Sequence, residues 1–111
     1  MISGLPDDAL AIAEENFGPV AAITPFTDME SAYARANASE FGLSAYVFTR
    51  NPQRIREAIA NLEAGMVGVN SFALAAAEAP FGGIKASGMG REGGQEAIED
   101  YMTVKLAQIV L

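Results

Sequence analysis

The chain has 111 residues, 50% of them hydrophobic, with fourteen acids against seven bases and a formal net charge of −7. That length supports one core, burying roughly two-thirds of the unfolded surface, and is too short for a two-domain enzyme. Cysteine and histidine are absent, which excludes a disulfide framework, a thiolate or imidazole metal site, a cysteine nucleophile and the usual neutral-pH base within these residues. The acid excess gathers early. Residues 1–40 hold Asp7, Asp8, Glu14, Glu15, Asp28, Glu30 and Glu40 against Arg35 alone, a surface that repels phosphate backbones and argues against a nucleic-acid partner. No apolar run approaches the ~20 residues of a membrane span, and the start lacks the charged and apolar regions of a secretory leader. The expected setting is cytoplasmic, with no membrane partner.

Along the chain, residues 1–15 form an acidic lead-in, where Pro6 and Asp7 suit a helix start and Ala9 to Ala13 provide one or two turns. Gly18-Pro19 stops any helix, and Val20 to Phe26 reads as a strand ended by Pro25 and Thr27-Asp28. Thr27 with Glu30 fits a capping box opening a helix to about Ala38, on which Met29, Ala32, Tyr33 and Ala36 share one face. Leu43 to Thr49 is the second predicted strand, aromatic and β-branched in character. Asn51 then caps a helix with Pro52 at its first position and a stripe of Ile55, Ala58, Ile59 and Leu62; Gly65 fits the residue past its end. Met66 to Asn70 is a third strand, apolar as expected when both faces are covered.

This alternation predicts an α/β fold, a βαβαβ parallel open sheet wound right-handedly. A short helix over Gly93 to Tyr101 and a strand over Thr103 to Leu111 complete it. The terminal strand is apolar on both faces, so residues 1–102 are expected to form the body and 103–111 a contact with another subunit, making a homo-oligomer.

The segment Pro80 to Glu92 cannot be a regular helix or strand, because Gly82, Gly83, Gly88 and Gly90 interrupt it. Gly88-Met89-Gly90-Arg91-Glu92-Gly93 matches G-x-G-x-x-G, but a dinucleotide fingerprint needs a strand before it and a βαβ unit around it. The preceding Gly82 to Ser87 is no strand, and too little chain follows for a helix and a second strand. A P-loop fails as well, since Met89 and Gly90 stand where Lys and Ser or Thr are required.

Four stretches in this order carry a resemblance: Glu14 to Val20 (EENFGPV), Phe41 to Thr49 (FGLSAYVFT), Ala64 to Asn70 (AGMVGVN) and Pro80 to Glu92 (PFGGIKASGMGRE). They resemble the C-terminal part of the catalytic domain in the aldehyde dehydrogenase superfamily, and the Gly65–Asn70 and Ala77–Lys85 stretches look most like its succinate-semialdehyde branch. The resemblance implies an NAD- or NADP-dependent oxidoreductase acting on a small-molecule aldehyde. In that chemistry a cysteine thiolate attacks the aldehyde, hydride passes to the cofactor, and the thioester is hydrolysed. Family members carry the dinucleotide-binding domain, that cysteine and a glutamate base upstream of the matched region. The 111 residues are thus expected to be a C-terminal piece with no catalytic residue of their own and no activity alone.

By the same resemblance, Glu15 matches the glutamate that binds the nicotinamide ribose, a role its two acceptor oxygens suit. Phe17 matches the aromatic beside the nicotinamide, and equally reads as a core anchor under Gly18-Pro19. Phe81 matches an aromatic at the aldehyde entrance, and equally reads as packing under the Gly82-Gly83 turn. Asn70, Lys85, Ser87 and Arg91 are expected to satisfy backbone groups at turns and helix ends. Semialdehyde members often place a hydroxyl in the loop after the third strand, where this chain has Ala75 and Ala76. The alternative to an enzyme piece is a noncatalytic, self-associating module with exposed sheet edges.

Overall fold

The structure, a computed structural model, describes residues 1–111. The chain divides into two compact units, Met1–Ser39 and Glu40–Leu111.

The first unit is a small βαβ arrangement followed by a helix. Strand β1 (Ile2–Ser3) and strand β2 (Ala22–Ile23) pair in parallel, with Ile2 opposite Ala22 and Ser3 opposite Ile23. Between them lies α1 (Leu10–Ala13). The ladder at β2 is much shorter than the predicted Val20 to Phe26, consistent with proline at both margins, since Pro19 and Pro25 have no N–H to donate.

Helix α2 spans Met29–Asn37. Its cap is Asp28, not the predicted Thr27. The Asp28 carboxylate accepts from the Ser31 N–H at 2.8 Å and from the Thr27 hydroxyl at 3.1 Å. Thr27 therefore serves the cap from outside, because the residue nearest the free N–H groups with a carboxylate satisfies them directly. Arg35, in the last turn, donates to the Pro25 carbonyl at 3.1 Å and pairs with Asp7. With Ile12, Phe26 and Ala32, these two charged residues line a cavity of about 510 Å³.

The cap makes a pH-dependent prediction. The Ser31 N–H, then the Ser31 and Thr27 hydroxyls, hold the Asp28 carboxyl below its ordinary 3.8. A carboxyl whose folded-state value is depressed stabilises the helix fully above its unfolded value and loses that contribution as pH falls through the lower one. Helix content is expected to drop below pH 3.8 in the native chain, and Asp28→Ala to start lower and lack that step. Circular dichroism across the acid range checks both.

The second unit begins with β3 (Phe41–Gly42) and β4 (Ser44–Val47), passes through α3 (Pro52–Asn61), and returns as β5 (Met66–Val69). Strands β4 and β5 pair in parallel along their whole length, from Ser44 opposite Met66 to Val47 opposite Val69. Helix α3 starts as predicted. The Asn51 carbonyl oxygen of the side chain accepts from Gln53 N–H at 2.9 Å and Arg54 N–H at 3.3 Å, with Pro52 at the first helical position. Its stripe is only partly covered, since a two-stranded sheet is a narrow platform: Ala58 is fully buried and Ile59 exposed. Ala58 and Met66 are the only buried hydrophobic residues of the chain. Tyr46, Phe48 and Phe72 form an aromatic cluster, with the Phe72 ring centroid 5.2 Å from Tyr46 and 5.0 Å from Phe48.

The chain is α/β, but the predicted continuous βαβαβ sheet is realised as two separate parallel pairs, β1-β2 and β4-β5. A third, antiparallel pair joins β3 to β6 (Ile84–Lys85) inside the glycine-rich tract, with Phe41 opposite Lys85 and Gly42 opposite Ile84. The predicted Gly93–Tyr101 helix is a 3₁₀ helix over Glu96–Tyr101. The predicted terminal strand differs: residues 103–111 form no ladder, and Val104, Leu106, Ile109, Val110 and Leu111 are exposed. A strand exists only against another strand's backbone groups, and none within the chain supplies them.

Gly65 is not the helix terminator either. Helix α3 ends at Asn61 with Leu62 as its cap, and Gly65 lacks the positive φ of a C-terminal glycine cap. A Cβ at Gly65 would instead collide with the Gly82 carbonyl oxygen and lie 2.8 Å from the Gly83 Cα. The glycine permits the start of β5 to cross directly over the glycine-rich tract.

Candidate functional site

Glu15 and Phe17 belong to the first unit, in the irregular segment between α1 and β2. The residue between them ties the segment to the end of α1. The Asn16 side-chain amide donates to the Ala11 carbonyl at 2.9 Å, satisfying one of the free carbonyls at the end of α1. That tether fixes the segment by its middle residue, while Glu15 and Phe17 on either side are exposed. Phe17 is 96% exposed, so it does not serve as the core anchor that its neighbours Gly18-Pro19 suggested. A carboxylate offers acceptors to a pair of hydroxyls, and an uncovered ring offers an apolar face to a flat heterocycle. The chemistry of the pair fits a nicotinamide riboside. Nothing in the composition singled out Asn16; the signal was a side-chain amide within five residues of a helix end.

Phe81 belongs to the second unit, where it is half-buried and lines a cavity of about 410 Å³ with Ala75, Ala76, Ala77, Glu92 and Gly93. Its position is set by the backbone. Phe81 and Glu92 exchange N–H···O=C bonds at 2.7 Å in each direction, an isolated antiparallel bridge closing the tract into a loop. The lining alanines, Ala75 to Ala77, supply neither a donor nor a charge to a substrate tail.

Three of the four other motif residues serve the backbone as expected. The Asn70 side chain accepts from Thr49 N–H and donates to Thr49 C=O, both at 2.9 Å, from a left-handed backbone at φ 54°. The Ser87 hydroxyl accepts from Gly42 N–H at 3.0 Å. Arg91 donates through Nη1 to the carbonyls of Gly83 (2.8 Å) and Gly90 (2.6 Å). Lys85 differs in pairing with the Glu63 carboxylate at 2.6 Å, across from the end of α3.

Main-chain bonds also count against a nucleotide loop at the G-x-G-x-x-G letters. A phosphate site needs backbone N–H groups aimed at a ligand. Here Gly88 N–H donates to Lys85 C=O, Glu92 N–H to Phe81 C=O, Gly94 N–H to Ala77 C=O, and Arg91 N–H to the Asp100 carboxylate.

Comparison with known proteins identifies the family. Residues 1–107 match the aldehyde dehydrogenase family. A succinate-semialdehyde dehydrogenase of Paenarthrobacter nicotinovorans is 45% identical over 105 residues, covering 95% of this chain and 23% of that protein. A betaine aldehyde dehydrogenase of Cereibacter sphaeroides is 50% identical over 99 residues, covering 88% of this chain and 20% of that protein. The NAD+ complex of an aldehyde dehydrogenase from Bacillus cereus superposes with a TM-score of 0.88 at 43% identity, over 93% of this chain and 21% of that one. The chain thus spans about a fifth of the length of the curated relatives it matches. With a match running through nearly all its residues, the chain belongs to the aldehyde dehydrogenase family.

Proposed function

We propose that these residues are the C-terminal part of the catalytic domain of an NAD(P)-dependent aldehyde dehydrogenase. They hold the nicotinamide ribose through Glu15, cover the nicotinamide with Phe17, and wall the aldehyde entrance with Phe81. NAD or NADP, when bound, supplies the hydride acceptor. The chain's own residues contribute binding and orientation: Glu15 accepts the ribose hydroxyl protons in hydrogen bonds, and the two aromatic rings present apolar surface. The covalent chemistry belongs to a cysteine outside these residues, so the chain by itself is expected to be inactive. Succinate semialdehyde is the first candidate substrate, supported by the similarity to enzymes of that name. The methyl-lined wall at Ala75 and Ala76 assigns recognition of any distal carboxylate to residues elsewhere in the enzyme. A cytoplasmic setting belongs to the same proposal.

The observation that carries this reading is the exposure of Glu15 and Phe17, on either side of the tethered Asn16, within a match that runs through residues 1–107. The test is a full-length Bacillus cereus aldehyde dehydrogenase in which residues 1–107 replace the matching segment. Retained nucleotide-dependent aldehyde oxidation is the expected result, with no turnover by the 111-residue chain alone. A folded chimera without activity, or turnover by the isolated chain, overturns it.

A second reading, self-association, is favoured by the exposed apolar run at residues 103–111. That segment would gain its missing ladder from another subunit, giving a homo-oligomer. Light scattering that finds a strict monomer at high concentration removes this reading.

A further inference from the structure

The loop that carries Phe81 is fastened at a point that no motif marks. Its return arm, Arg91-Glu92, bridges to Phe81 through the paired bonds of Glu92. The residue before the bridge is held from outside the loop: the Asp100 carboxylate, in the 3₁₀ helix, accepts from Arg91 N–H at 2.6 Å. The approach is close because Gly90 has φ +95° and no side chain; a Cβ there would meet Asp100 Oδ2 at 2.8 Å. Arg91 then continues the chain of contacts inward, its guanidinium donating to the carbonyls of Gly83 and Gly90. Asp100 grips the backbone of Arg91 while the Arg91 side chain grips the turn that follows Phe81.

We propose that Asp100 is a positioning residue for the substrate entrance, setting the place of the Phe81 wall through Arg91. This rests on the reading of Phe81 as part of that entrance. A charge-assisted bond to a backbone N–H is stronger and shorter than a neutral one and directs the donor along one line. Without it, the Arg91 N–H turns to water and the 3₁₀ helix releases the return arm. Cavity residues Glu92 and Gly93 lie directly after the gripped residue, so the release reaches the lining of the cavity that Phe81 shares.

Hydrogen exchange on the 111-residue chain tests the device without any turnover. Asp100→Ala is expected to speed exchange of the Arg91, Glu92 and Phe81 amides by about tenfold or more. The Met66 and Asn70 amides, bonded to Leu43 and Val47, should keep their rates. Asp100→Asn keeps an acceptor oxygen and should restore protection. In the full-length chimera, Asp100→Ala should raise the aldehyde KM several-fold with kcat little changed, and Asp100→Asn should return it toward the parent value. The proposal fails if Phe81 and Glu92 are unprotected in the native chain, or if Asp100→Ala leaves their exchange unchanged. Equal loss at Met66 and Asn70, or no rescue by asparagine, also overturns it by making Asp100 a general stabiliser. An inactive chimera with the exchange pattern intact would overturn the dehydrogenase reading and leave the Asp100 contact standing.

Discussion

Gly65→Ala is expected to unfold the second unit, and no other single methyl in this chain should cost as much. The added Cβ would sit inside the Gly82 carbonyl oxygen and against the Gly83 Cα, so the atoms that must move are backbone. A flexible side chain can rotate away from an intruding methyl; two crossing main chains cannot separate without breaking the bonds that place them. Gly65 N–H donates to Gly42 C=O at 2.9 Å and Met66 N–H to Leu43 C=O at 3.1 Å, so the displacement would pull on the ends of both β3 and β4. Overpacking of side chains already costs about 1–3 kcal/mol, and a collision of main chains should cost about 3 kcal/mol or more. Gly18→Ala is the matched control, since nothing lies within 4 Å of a Cβ there. Urea unfolding followed by circular dichroism should show the first variant without a folded baseline and the second superimposable on the native chain. A Gly65→Ala chain as stable as the parent would show that this crossing is not built as described.

Glu15→Ala is expected to raise the KM for the nicotinamide cofactor about ten- to hundredfold in the full-length chimera. A carboxylate accepting hydrogen bonds from ribose hydroxyls makes charge-assisted contacts, each worth about 1.5–3 kcal/mol, and alanine removes all of them. Glu15→Gln should fall between, because its amide oxygen still accepts but carries no charge. The exposed position of Glu15 means no internal partner is lost with it, so melting temperature should not move. Initial rates against cofactor concentration, with a thermal melt beside them, separate the two effects. Unchanged KM in both variants would remove Glu15 from the cofactor site.

Local chemistry was legible where one side chain answers one nearby backbone need. Asn51 and Pro52 announced the start of α3, and Asn70, Ser87 and Arg91 announced their service to main-chain groups. The aromatic and β-branched run Leu43 to Thr49 and the apolar run Met66 to Asn70 were read as strands, which form over Ser44–Val47 and Met66–Val69, and their parallel pairing followed from the helix between them. What failed depended on partners distant in sequence. Gly65 looked like a helix terminator because glycine serves both a left-handed cap and a close crossing, and only the position of Gly82 decides between them. Thr27 lost the cap to Asp28 because two competent residues stood side by side. Asp100 carried no pattern at all, since its acceptor role is defined by an N–H nine residues earlier. Residues 103–111 have a strand's composition but no neighbour within this chain, and composition does not count neighbours. For the site, the Asn16 bond to the Ala11 carbonyl was hidden in an otherwise ordinary turn.

The Asn70 side chain, bonded to both the N–H and C=O of Thr49, behaves as a peptide group mounted on a side chain and adds one rung beyond Val69. Such mimicry tolerates no change of one atom. Conversion of its amide to a carboxylate, by mutation or by slow chemical ageing, would turn the donor facing the Thr49 carbonyl into a second acceptor. Two oxygens would then oppose each other at the mouth of the β4-β5 pair, and the pair would fray from that end first.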